Sequence, residues 1–86
     1  MEKLSDEELK HAVYYVLASK KLGREFRKEG DEVVAKVIST LSVSEVKELG
    51  SYDTALSELQ SLAEIGCIQE IRRMAKTWEH SRHIRG

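Results

Sequence analysis

The sequence predicts a mainly α fold built round a tri-helical helix-turn-helix core, and three observations predict it. Two Ser-x-x-Glu capping boxes, Ser5 to Glu8 and Ser42 to Glu45, each mark a helix start. In such a box the hydroxyl accepts from a first-turn amide while the glutamate reaches back to the cap. Apolar residues recur at spacings of three and four along most of the chain. Glycines mark the breaks, and the 86 residues contain no proline.

The first helix is expected over 6–22, with Asp6, Glu7 and Glu8 at the positive end of its dipole. Its stripe is Leu9, Ala12, Val13, Val16 and Leu17, and Tyr14, Tyr15 and Ala18 widen it until the middle is apolar nearly all round. A surface helix on one core needs no such width. The expectation is therefore a homodimer joined through Leu9, Val13, Tyr14, Tyr15, Val16 and Leu17. Gly23 either stops this helix or lets it continue toward Gly30, the firmer break. Asp31 is expected to cap a second helix over 32–41, where Val33, Val34, Val37, Ile38 and Leu41 share one face despite the β-branching.

The stretch from Ser42 to Ile68 supplies the third and fourth helices. After the second capping box, Val46 and Leu49 form a stripe, and Gly50 is placed to take the left-handed conformation that ends a helix. Ser51 or Asp53 then caps a helix over 53–65. Ala55, Leu59 and Leu62 recur along it, Leu56 and Ala63 lie beside them, and Gly66 closes it before Cys67 and Ile68. A capped helix, a glycine turn and a second amphipathic helix make a helix-turn-helix unit. The second helix of such a unit often lies in a DNA major groove.

The tail, 69–86, supports two readings. As strands, 67–73 and 78–85 pair into a β-hairpin wing with Trp78 and Ile84 on one face. As a helix, Ile68, Ile71, Ala75 and Trp78 fall at helical spacing in a segment of high helix propensity. The absence of Gly, Asn, Asp or Pro at the hairpin turn counts against the wing.

A chain of this length makes one domain, 1–86, with 5–30 as the N-terminal helical part, 31–68 as the core and 69–86 as the tail. Its apolar share of 41% gives a small core that dimerisation would help. No apolar run approaches the roughly 18 residues of a membrane span. Glu2, Asp6, Glu7 and Glu8 stand where a signal peptide would be basic and then apolar, so the expected location is cytoplasmic. The lone Cys67 has no internal disulfide partner and suits a buried structural position. Abundant Glu, Lys and Arg with no Pro or Asn leans toward a heat-adapted source.

Phosphate-cradling Gly-rich loops, nucleophile elbows and paired carboxylates are missing, so neither an enzyme nor a cofactor is expected. His80 and His83 share a helical face, but a structural zinc site takes four ligands at recognisable spacings, and no metal is expected. The net charge is −1, which excludes a global basic signal for nucleic acid. Acids dominate from Asp31 to Gly66, while Lys20, Lys21, Arg24, Arg27 and Lys28 precede that stretch and Arg72, Arg73, Lys76, Arg82 and Arg85 follow it.

Ser42-Val43-Ser44-Glu45-Val46-Lys47-Glu48-Leu49-Gly50 and Leu59-Gln60-Ser61-Leu62-Ala63-Glu64-Ile65-Gly66-Cys67-Ile68 resemble the winged helix-turn-helix regulators of the MarR-like and ArsR-like kind. The resemblance covers a little under half of the chain. It implies a winged-helix-like, homodimeric regulator of transcription bound to double-stranded DNA, with 53–65 as recognition helix. By the family's pattern Ser51, Tyr52, Thr54, Ser57, Glu58 and Ser61 face the groove, while Arg72, Arg73 and Lys76 reach the phosphates from the wing position. Two departures stand against this. The turn after Gly50 is about one residue short, and the presumed reading helix carries Asp53, Glu58 and Glu64 where the family presents Arg, Ser, Thr, Gln or His. The alternative is a helix-turn-helix fold used as a protein-interaction or inhibitor module through its acidic central face.

Overall fold

The chain is mainly helical, and the largest contacts run from its first and last helices rather than within the middle three. The computed structural model describes residues 3–23, 26–48 and 52–84, apart from the side chain of Arg27. The elements are α1 (Asp6–Leu22), a 3-10 turn (Phe26–Lys28), α2 (Asp31–Ile38), α3 (Val43–Lys47), α4 (Tyr52–Glu64) and α5 (Ile68–Ile84). There is no strand among the described residues.

Local chemistry sets several boundaries where the sequence puts them. Ser5 Oγ accepts from the Glu8 amide at 3.1 Å while Glu8 Oε1 accepts from the Ser5 amide at 3.0 Å. Ser42 and Glu45 repeat the arrangement at the same distances. Gly23, at φ +63°, stops α1 in the left-handed region, which only glycine adopts without strain. Gly66 ends α4 likewise: its amide donates to Ala63 O and the Cys67 amide to Leu62 O, the paired bonds of a Schellman turn. Gly50, Leu49 and Ser51 lie outside the described residues.

One open reading is decided and two expectations are corrected. The tail forms helix α5 and not a wing, because Ile71, Ala75 and Trp78 make one buried face and the segment has no residue suited to a tight turn. Helix α2 ends at Ile38 instead of Leu41, and its last turn tightens through bonds from the Thr40 amide to Val37 O and from the Leu41 amide to Ile38 O. Its N-cap is Gly30, not Asp31, and Gly30 offers no side-chain cap. The Asp31 carboxylate turns instead to Arg73 on α5.

Helix α1 is the central element and meets each of the other four. This accounts for its apolar width. Val13 and Leu17 are 0% and 1% exposed, Tyr14 is buried against α5, and Leu9, Tyr15 and Val16 pack at the margin of the same core. Of the face assigned by sequence to a second subunit, Val13, Tyr14 and Leu17 are buried in the chain's own core and Leu9, Tyr15 and Val16 are half-buried against it. The Cα radius of gyration, 12.1 Å, matches the roughly 12 Å of a compact domain of this length.

Helices α3 and α4, expected to pack as a unit, each lie mainly against α1 and not against one another. Val46 from α3 and Ala55 and Leu59 from α4 supply their buried anchors. The α1–α5 contact is the most extensive. Glu8 meets Arg72 near the start of both helices, and Tyr14 meets Trp78 near their middles, with ring centroids 5.2 Å apart.

Candidate functional site

Helix α4 puts most of the residues assigned to DNA on one solvent-facing side. With Ala55 and Leu59 turned inward, a 3.6-residue repeat sets Thr54, Glu58 and Ser61 along one flank of the helix and Ser57 on the side away from the core, and all four are exposed. Asp53 and Glu64 flank that line. Tyr52 stands at its start, 37% exposed, with its ring edge against Tyr14 at 6.2 Å. Ser51 lies outside the described residues.

The face ends on a residue that sequence reasoning passed over. Ile65 is 75% exposed, the most exposed of the large apolar side chains among the described residues. Its amide donates to Ser61 O, so it continues the helical register directly after Glu58 and Ser61. The signal was present: Ile65 follows Glu58 by seven residues, on the outer side of a helix whose core positions were already known.

Helix α4 carries three carboxylates and no Lys, Arg or His between Tyr52 and Glu64. Among the described residues one cation reaches it from elsewhere, Lys20 of α1, at 3.7 Å from Glu58. Both partners are half exposed, so the pair is screened and adds little to stability. Asp53 and Glu64 have no ion-pair partner among the described residues.

The cations assigned to phosphate contact are in a different situation. Arg72 Nε lies 3.3 Å from Glu8 Oε2, and its guanidinium also donates to Lys3 O. The Ser5 amide bond, with help from Arg72, holds the Glu8 carboxyl below the usual carboxylate range. Arg73 Nε donates to Asp31 Oδ1 at 2.9 Å, Nη2 of the same guanidinium lies 2.9 Å from that oxygen, and the hydrogen bond and charge of Asp31 raise the Arg73 pKa further. Lys76 is exposed and shares a groove with Asp31, Glu32, Arg72, Arg73 and His80. Arg72, Arg73 and Lys76 therefore face Asp31, Glu32 and Glu8, and the groove is nearly balanced in charge.

Arg82, counted by sequence among the basic flanks, has a structural task. Its guanidinium donates to Leu41 O at 2.7 Å and Ile38 O at 2.9 Å, capping the C-terminal end of α2 where the dipole favours a cation. It also stacks over Trp78 at 4.2 Å. Arg24 and Arg85 lie outside the described residues. His80 and His83 are exposed, and no group of three or more His, Cys, Asp or Glu converges among the described residues.

The arrangement offers recognition chemistry: an acidic, hydroxyl-lined helix face with an apolar residue at each end. No family model, curated protein or solved structure matches the chain. The helix-turn-helix resemblance rests on the residues alone, and no helix among the described residues is long and apolar enough to cross a membrane.

Proposed function

We propose that the chain is a non-enzymatic helical docking module that engages a basic partner protein along the outer face of α4. The observation that carries this reading is the sign and placement of charge. Asp53, Glu58 and Glu64 project from a helix that has no cation of its own, and the line they border ends on exposed Ile65. An exposed apolar residue beside a charged rim is how anchoring positions in interfaces are commonly built. Opposite charge on the partner would steer encounter and fix register.

The DNA-binding reading is weaker on the same grounds. Carboxylates on a helix in the major groove oppose the phosphates, so affinity would have to come from cations elsewhere. Arg72 and Arg73 are engaged by Glu8 and Asp31, and Arg82 is engaged by α2.

The test is affinity capture from the source organism with three forms of the chain. The native form and Arg72→Ala/Lys76→Ala are expected to retain one stoichiometric protein partner. Glu58→Lys/Glu64→Lys is expected to lose it. Duplex DNA bound at low salt and released by the Arg72/Lys76 pair of substitutions would overturn the proposal in favour of a regulator that binds DNA.

A further inference from the structure

We draw no further inference here: the strongest candidate, the C-terminal end of the outer face of α4 where Glu64 meets exposed Ile65, belongs to the site already described and identifies no occupant more closely than its charge does.

Discussion

Helices α4 and α5 are both amphipathic and carry opposite charge, and they differ in where that charge is directed. On α5, Arg72, Arg73 and Arg82 reach back to Glu8, Asp31 and the end of α2, while Trp78 fills the space beneath Tyr14. On α4, Asp53, Glu58 and Glu64 point to solvent, and the only cation that reaches them among the described residues is Lys20. Charge that is matched inside the molecule positions helices. Unmatched charge on a stable surface is available to a partner.

The comparison predicts that substitutions on α5 cost stability and those on α4 cost binding. Trp78→Ala should have the largest effect, about 3–5 kcal/mol, because it removes a buried aromatic contact and the platform for Arg82. For a domain this small that is a large share of the total, and urea denaturation should show it as a collapse of the midpoint. Arg82→Met should cost about 2 kcal/mol by leaving Ile38 O and Leu41 O without their charged donor. Arg82→Lys should recover little, since an ammonium cannot reproduce the two-pronged geometry.

Ser42→Ala, which removes the α3 cap, should cost about 1 kcal/mol in thermal or urea unfolding. The Glu8 substitution shows itself in pH dependence. The folded-state pKa of Glu8 is depressed, chiefly by the Ser5 amide. Its stabilising contribution is therefore complete above the unfolded carboxylate value and is lost as pH falls through the folded one. Glu8→Gln should flatten the acid limb of a stability-against-pH curve, and identical acid limbs would contradict the assignment. The smallest stability effect belongs to Glu58→Lys, within about 0.5 kcal/mol of the native chain. An unfolding shift well beyond that would mean that the α4 face serves the fold.

Local chemistry was legible in the residues, and remote partnership was not. The capping boxes at Ser5 and Ser42, the stop at Gly66 and the stripe of α4 depend on neighbours three or four positions away, so spacing alone reveals them. Arg82 finds its acceptors 41 and 44 positions back, and Arg73 finds Asp31 at 42, separations at which periodicity carries no information. The same limit explains α1. Its wide apolar surface is visible in sequence, but a neighbouring subunit and four surrounding helices of the same chain would both require it. The tail stayed open between strand and helix because the Ile71–Ala75–Trp78 face gains its meaning only when α1 and α2 lie against it. For the candidate site, the acidic residues of α4 could be read directly, whereas the exposure of Ile65 and the engagement of Arg72 and Arg73 needed the fold.

The central claim is that the outer face of α4 meets basic protein and not DNA. Its most direct test is an NMR titration of the isotopically labelled chain with a short amphipathic peptide rich in lysine and arginine, beside a titration with mixed-sequence duplex DNA at about 50 mM salt. The account predicts that the peptide shifts the amides of Thr54, Ser57, Glu58, Ser61 and Ile65 while the duplex leaves them in place. Duplex-induced shifts centred on those five residues, with the peptide silent there, would contradict it.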